Sequence, residues 1–192
     1  MWLPKLEYND DDISGTMSSY QDFIEKNLAL HRAPVIESLL LRYFHSKLLQ
    51  PEKIILWVGV ALSLCVREKI ILSYFCFNYG LGVSLPSSLY TCVFLMALKL
   101  QGNNILVDVP RIVCLPSLNT LRRQRVKYSN EDSLRLLRPH CPFLEDLCIE
   151  RKYEDDNVRT LVVIVPSLQR LPLEICVFKK YEPVILGNKQ ST

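Results

Sequence analysis

A chain of 192 residues that is 49% hydrophobic and 22% charged has enough apolar side chains for a sizeable core, which excludes a mainly disordered protein. The formal charge of +3 is small and the charged residues are scattered, so a nucleic-acid-binding arm is not expected. The seven cysteines contain no C-x-x-C pair, which argues against a secreted disulfide framework and favours a cytoplasmic or nuclear location.

Residues 1–33 are predicted to form an N-terminal linker and a capping helix. The start, MWLPKLEYNDDD, reaches an acidic run without an apolar stretch of signal-peptide length, so secretion by that route is not expected. The following SYQDFIEKNLALHRA has helical character and opens with serine, a residue that is favoured at helix N-termini. Helical character is also predicted for NEDSLRLLRPHC and DNVRTLVVIV further along the chain.

The most apolar segment is IILWVGVALSLCV, at residues 54–66. A helix needs about 20 apolar residues to cross a bilayer, so this run is too short and no membrane is expected as a partner. The preceding QPEK suits a helix start, because Pro51 is tolerated early in a helix and Glu52 favours the first turn. A buried helix is therefore predicted here.

A short phrase returns along the chain, with apolar residues at its first, fourth and sixth positions, as in the L-x-x-L-x-L signature of leucine-rich repeats. The clearest copy has Leu95, Leu98 and Leu100, and Asn103 falls at the ninth position, where these repeats place an inward-turning amide. Successive copies are separated by 30, 29, 23, 26 and 24 residues. The six copies begin at Ile36, Val66, Leu95, Leu118, Leu144 and Leu168.

Because alternate residues of a strand face opposite sides, the fourth and sixth positions of each copy are predicted to point into the core. No single unit can bury its apolar face alone, so neighbouring units must stack. The predicted fold class is therefore α/β, a leucine-rich-repeat solenoid with an open, curved parallel β-sheet and with helices or loops on its convex side. The repeats are placed at residues 34–175, and residues 176–192 are predicted to be a divergent C-terminal tail.

The phrases APVIESLLLRYF, SLPSSLYTC, LVDVPRIVCLPSLNTL, VKYSNEDSLRLL and HCPFLEDLCIER together resemble the leucine-rich-repeat region of plant F-box/LRR proteins, in particular the F-box/FBD/LRR family. The resemblance runs from about Trp2 to Ile175. In that family an F-box docks to the adaptor of a cullin-type ubiquitin ligase and the repeats hold the substrate protein. This sequence is expected to lack both the F-box and the FBD, so binding of the ligase adaptor is not expected.

The resemblance thus implies a protein–protein interaction module of the substrate-recognition type, whose bound protein is unknown. Two alternatives remain open. The first is a free-standing leucine-rich-repeat interaction scaffold, and the second is a truncated or degenerate family member without ligase function.

Three residues depart from the repeat pattern. Arg123 replaces the third inward apolar residue of its copy, and Lys69 replaces the middle one of the copy that begins at Val66. Each would bury a charge unless its aliphatic stem carries the head group out to solvent. Pro172 removes an amide donor from a strand, which is tolerated mainly at a sheet edge.

The third, fifth, seventh and eighth positions of each copy are expected to project from the concave face of the sheet. Lys99, Arg122 and Arg125 would make the middle of this face basic, which predicts an acidic protein partner. The alternative is a solvated face without a partner. The candidate protein-binding residues are Arg42, Tyr43, Lys99, Gln101, Arg122, Gln124, Arg125, Glu150 and Arg151.

No catalytic, cofactor-binding or metal-binding residue is predicted, and the chain is not expected to be an enzyme. His140 and Cys141 lack the paired spacing of zinc ligands, so Cys141 is expected to be a core cysteine. GLGVS, at residues 80–84, has no third glycine and is expected to be a turn. RRQRVK is the main argument for RNA binding, but strand alternation would divide its charges between two faces, so no nucleic acid is expected as a partner.

Overall fold

The computed structural model describes residues 5–12, 16–31, 35–44, 50–75, 82–129, 140–151 and 167–175, which have an α/β architecture. The larger of two parallel sheets has seven strands, in chain order across the sheet. They are β1 (Lys5–Asn9), β2 (Ser38–Tyr43), β3 (Lys69–Tyr74), β5 (Ala97–Gln101), β7 (Thr120–Gln124), β9 (Asp146–Arg151) and β10 (Leu173–Ile175). The smaller sheet consists of β4 (Val83–Ser84), β6 (Ile105–Val107) and β8 (Lys127–Tyr128).

Two α-helices lie between the first three strands of the larger sheet, α1 at Met17–Leu30 and α2 at Pro51–Ser63. Both helices confirm sequence predictions. The Thr16 hydroxyl caps α1 by accepting a hydrogen bond from the Ser19 amide at 3.3 Å, and Pro51 occupies the first turn of α2. The predicted helices in NEDSLRLLRPHC and DNVRTLVVIV lie almost entirely outside the described residues.

The apolar sequence of α2 serves the core. Its Ile54, Trp57, Val58 and Ala61 are buried, as was predicted for this segment. Burying one large apolar side chain stabilises a fold by about 1.5–3 kcal/mol, so these four residues anchor the helix firmly. Among the residues that the structure describes, no helix has the length and apolar character needed to span a membrane.

The strand register explains the spacing of the repeat. Two stacks of inward side chains cross the sheet from β1 to β9, and every member is at most 8% exposed. The first stack is Leu6, Leu39, Ile70, Leu98, Leu121 and Leu147. The second is Tyr8, Leu41, Leu72, Leu100, Arg123 and Ile149. The prediction that the fourth and sixth positions face the core is confirmed for the copies that begin at Ile36, Leu95, Leu118 and Leu144.

The inward positions predicted for the copy that begins at Val66 are wrong by one residue. In β3 the buried residue Ile70 pairs with Leu39, so the inward pair is Ile70 and Leu72. Since side chains alternate along a strand, a slip of one residue moves each of them to the other face. Lys69 is therefore half-buried on the face away from the core and buries no charge in it.

The strand β1 was not expected, because residues 1–33 were interpreted as a linker with a helix. Leu6 and Tyr8 are buried, and the strand runs parallel to β2. At the other end of the described sheet, Pro172 immediately precedes the edge strand β10, and its carbonyl accepts a hydrogen bond from the Ile149 amide at 3.3 Å. Pro172 therefore lies outside the strand itself, next to the outermost strand of the described sheet. The domain boundaries remain predictions.

A tight turn follows β5. Gly102 has φ +149, and a Cβ atom there would lie 1.8 Å from the Tyr74 carbonyl oxygen, so only glycine fits. Of the two asparagines that follow, Asn104 is 3% exposed whereas Asn103 is half-buried. The buried asparagine is thus one position later than the predicted one, and an inward-turning Asn103 amide stays a prediction. The Asn104 carbonyl accepts a hydrogen bond from the Val83 amide at 2.7 Å, which joins this turn to the smaller sheet.

Arg123 carries a buried charge. It is 1% exposed and lies in register between Leu100 and Ile149, so its stem does not bring the guanidinium to solvent. The guanidinium carbon lies 5.6 Å from the centre of the Tyr128 ring, a cation–π distance. Within the described part of the chain, its Nε atom has no hydrogen-bond partner. The described part of the core therefore contains a charged side chain that packs against an aromatic ring and leaves its Nε atom without a hydrogen-bond partner.

The buried tyrosines and cysteine predict a loss of stability at alkaline pH. Burial raises the pKa of Tyr8 and of Tyr90 to about 12 from 10.0, and that of Cys141 to about 11 from 9.0. The folded chain therefore keeps these protons at pH values where the unfolded chain loses them. Their stabilising contribution is complete below the unfolded pKa values and is lost as the pH rises through the folded ones.

We expect the urea midpoint to fall steadily between about pH 9 and about pH 12. Tyr8→Phe should reduce this slope, since the variant has one fewer buried group to ionise. A midpoint that stays constant over the range would contradict the expectation.

Candidate protein-binding face

The candidate residues belong mainly to the side of the larger sheet that faces away from the core, here called the outer face. The strand register aligns its side chains from β1 to β9 into three rows. The first row is Lys5, Ser38, Lys69, Ala97, Thr120 and Asp146. The middle row is Glu7, Leu40, Ile71, Lys99, Arg122 and Cys148. The third row is Asn9, Arg42, Ser73, Gln101, Gln124 and Glu150.

The structure brings most of the predicted residues together on this face. Arg42, Lys99, Gln101, Arg122, Gln124 and Glu150 all belong to its middle or third row. Arg151 is the last residue of β9, and its side chain lies outside the described residues.

Tyr43 was predicted to project outward, and this prediction is wrong. It is 0% exposed and stacks on Trp57 of α2, with 6.0 Å between ring centroids. The cause is strand parity: β2 extends through Tyr43, so this residue faces the same way as Leu39 and Leu41. Burial also raises the pKa of the Tyr43 hydroxyl. A side chain in this position contributes to the core and not to a binding face.

Arg122 is held by a carboxylate on the neighbouring strand. Its Nη2 atom lies 2.9 Å from Oδ2 of Asp146, whose side chain is only 5% exposed. Arg170 approaches the same oxygen at 3.7 Å. The hydrogen bond and the charge of Asp146 raise the pKa of Arg122. A nearly buried carboxylate thus partly neutralises two arginines on this side of the face.

Arg125 is held in a similar way, although it lies just beyond β7. Its backbone has φ 59, a left-handed conformation, and its amide donates to the Glu150 carbonyl at 2.8 Å. Its Nε atom lies 2.9 Å from one Glu150 carboxylate oxygen, and Gln124 donates to the other oxygen at 2.9 Å. Two of the three cations of the expected basic centre are therefore paired with acids on β9.

Sequence reasoning missed several residues of the outer face, among them those of the unexpected strand β1. Lys69 and Ile71 were assigned inward because of the one-residue slip in β3. Leu40 was not considered, because only the last residues of the first copy were assigned to this face. The unbroken apolar runs LLL in β2 and IIL in β3 are the sequence feature that could have revealed the apolar residues of this face. Runs of this kind place an apolar residue on both faces of a strand.

Three other segments were considered for nucleic-acid, metal or phosphate binding. The basic side chains of RRQRVK are divided between the two faces of the sheet as predicted, with Arg123 in the core and Arg122 on the outer face. The core position of Cys141 is confirmed, at 1% exposed. Within the described ranges, no cluster of three His, Cys, Asp or Glu side chains could hold a metal ion. In GLGVS, residues 83–84 form β4 instead of a turn, and residues 80–81 lie outside the described residues.

Comparison with known proteins identifies relatives in Arabidopsis thaliana. A putative FBD-associated F-box protein is 57% identical over 159 residues, covering 79% of this chain and 38% of that protein. An FBD-associated F-box protein is 52% identical over 174 residues, covering 91% of this chain and 43% of its own length. A putative F-box/LRR-repeat protein is 42% identical over 190 residues, covering 98% and 44% respectively.

No family model matches the chain, and no solved structure matches it. The chain spans less than half the length of the three relatives described above. The matches nevertheless cover 79%, 91% and 98% of this chain. Over the residues that it shares with these relatives, the chain belongs to the plant F-box/FBD/LRR family.

Proposed function

We propose that the chain is a leucine-rich-repeat solenoid whose outer face holds another protein, as the substrate-recognition region of an F-box-type ubiquitin ligase subunit does. The observation that carries the proposal is the common register of the three rows. Six strands, about 4.8 Å apart, present matched side chains over a length on the order of 24 Å. A continuous surface of this length suits a standard protein interface of about 20 to 30 residues a side.

The proposed binding residues are Arg42, Lys99, Gln101, Arg122, Gln124, Arg125, Glu150 and Arg151. Their roles differ. The side chains of Arg122 and Arg125 are 44% and 40% exposed, and their charges are partly neutralised by Asp146 and Glu150. They would position a partner through the guanidinium N–H groups that these ion pairs do not use. Lys99 has no ion-pair partner among the described residues and is a simpler probe of charge recognition.

A charge-reversed pair, Arg42→Glu with Lys99→Glu, tests the proposal. Proximity labelling in plant cells should recover a set of proteins with the native chain and at least about tenfold less of them with this variant, as for loss of an interface hot spot. Lys26→Glu, on the exposed side of α1, is the matched control and should leave recovery unchanged. Equal recovery with all three chains would refute a binding role for the outer face.

A second candidate function is a free-standing scaffold without ligase activity. The chain matches less than half the length of the F-box relatives described above, and the matched part is compatible with either function. Purified ligase adaptor and the half-life of a captured partner distinguish the two. A partner whose half-life does not depend on this chain would favour the scaffold, whereas adaptor binding or partner degradation would favour ligase function.

A further inference from the structure

We propose that the part of the outer face formed by β2, β3 and β5 recognises an extended acidic segment of a protein that carries one large apolar side chain between its acidic residues. This inference rests on the proposed function and names the chemistry of the partner. It starts from Leu40 and Ile71, which are direct neighbours in the middle row. They are the only large aliphatic residues in the three rows, and together they make an apolar spot on an otherwise polar surface.

The apolar spot is only partly accessible. Leu40 is 8% exposed and Ile71 is half-buried, although neither belongs to the two inward stacks. An apolar side chain of a partner would therefore contact mainly Ile71 and would touch Leu40 at its exposed edge.

Three cations adjoin the apolar spot. Arg42 lies two residues after Leu40 on β2, and Lys69 lies two residues before Ile71 on β3. Lys99 is the direct neighbour of Ile71 on β5. Within the described part of the chain none of the three forms an ion pair, whereas the arginines near β9 face Asp146 and Glu150.

The charge of the outer face is therefore uneven. At its β9 end two carboxylates oppose the arginines, but around the apolar spot Glu7 is the single acidic member of the rows. Cations without partners attract acidic segments over several ångströms and suppress the binding of basic ones. Charge complementarity thus specifies an acidic occupant for this part of the face.

Geometry also restricts the occupant. Lys69 in the first row and Arg42 in the third are four residue steps and one strand apart, which is about 14 Å between Cα atoms. An extended segment with acidic residues two positions before and two positions after an apolar anchor spans about 13 Å. The matching pattern is acidic, any, apolar, any, acidic, with Lys99 free to contact either carboxylate.

A synthetic peptide pool tests this inference without knowledge of the natural partner. Each peptide carries Asp or Glu at two residues on either side of a central leucine, and binding to the isotope-labelled full chain is followed by NMR at about 1 mM peptide, which detects even millimolar affinity. The expected result is localised shifts in β2, β3 and β5 that weaken as salt is raised. Absence of shifts, or equal shifts with a pool in which lysine replaces the acids, would overturn the inference.

Variants separate the two components of recognition. Lys99→Gln should weaken binding about tenfold, and Ile71→Ser should weaken the leucine pool but not a pool with alanine at the centre. Lys26→Gln, on the exposed side of α1, is the control and should change affinity less than twofold, since this residue is not part of the outer face. Each variant is first checked for a native unfolding midpoint. A larger effect from Lys26→Gln than from Lys99→Gln would also overturn the inference.

Failure of the peptide test is distinguishable from failure of the proposed function. If Arg42→Glu with Lys99→Glu abolishes protein recovery in cells but the acidic pool does not bind, the outer face is a binding face for a different chemistry. If that variant changes nothing in cells, the proposed function itself is refuted.

Discussion

Replacing Gly102 with alanine is expected to lower the free energy of unfolding by about 3–5 kcal/mol. Few single substitutions destabilise a protein this much, and those that do have an identifiable structural cause. The backbone at Gly102 has φ +149, a conformation that side-chain-bearing residues rarely adopt. A Cβ atom would lie 1.8 Å from the Tyr74 carbonyl oxygen, and that atom belongs to the backbone of β3. The clash can be relieved only by separating two adjacent strands of the sheet.

The matched control for this variant is Gly59→Ala in α2. A Cβ atom at Gly59 would meet nothing within 4 Å, and alanine is a better helix former. We expect this change to stabilise the chain by about 0.5–1 kcal/mol. Urea unfolding followed by circular dichroism measures both variants. If Gly102→Ala unfolds at the same urea concentration as the native chain, the turn after β5 does not have the described geometry.

Replacing Arg123 with methionine is expected to raise the free energy of unfolding by about 1–4 kcal/mol, in the range found when apolar residues replace buried ionic groups. Arg123 is 1% exposed and lies between Leu100 and Ile149 in the second inward stack. All the other members of this stack are apolar or aromatic. Its guanidinium is desolvated and contacts the Tyr128 ring, and within the described residues its Nε atom has no hydrogen-bond partner. Methionine keeps the linear shape and removes the cost of burying charge.

Arg122→Met, on the opposite face of the same strand, provides the comparison. It removes the ion pair with Asp146 and leaves a nearly buried carboxylate, so it is expected to destabilise the chain by about 1–3 kcal/mol. Because Arg123 faces the core, Arg123→Met should also leave binding of the acidic peptide pool unchanged. A lower unfolding midpoint for Arg123→Met would mean that the cation–π contact outweighs the desolvation of the guanidinium.

The sequence determined the α/β class, the parallel strands at the central repeats and the two helices. The copies that begin at Leu95 and Leu144 have apolar residues at both inward strand positions, and the copy that begins at Leu118 has one at the first of them. The alternation of side chains along a strand therefore assigned Leu98, Leu121 and Leu147 to the core. The helix at Pro51–Ser63 was equally readable, because a long apolar run follows a proline. In both cases the deciding forces act between residues that are close in the chain.

Tertiary structure decided the rest. In β2 and β3 both faces carry apolar residues, so alternation could not select a register, and only the pairing of Ile70 with Leu39 placed Lys69 and Ile71 on the outer face. The neutralisation of Arg122 depends on Asp146, which is 24 residues away along the chain. Strand pairing brings such residues together through backbone hydrogen bonds, which carry no side-chain signature, and a pattern within one repeat therefore cannot reveal which charges will meet.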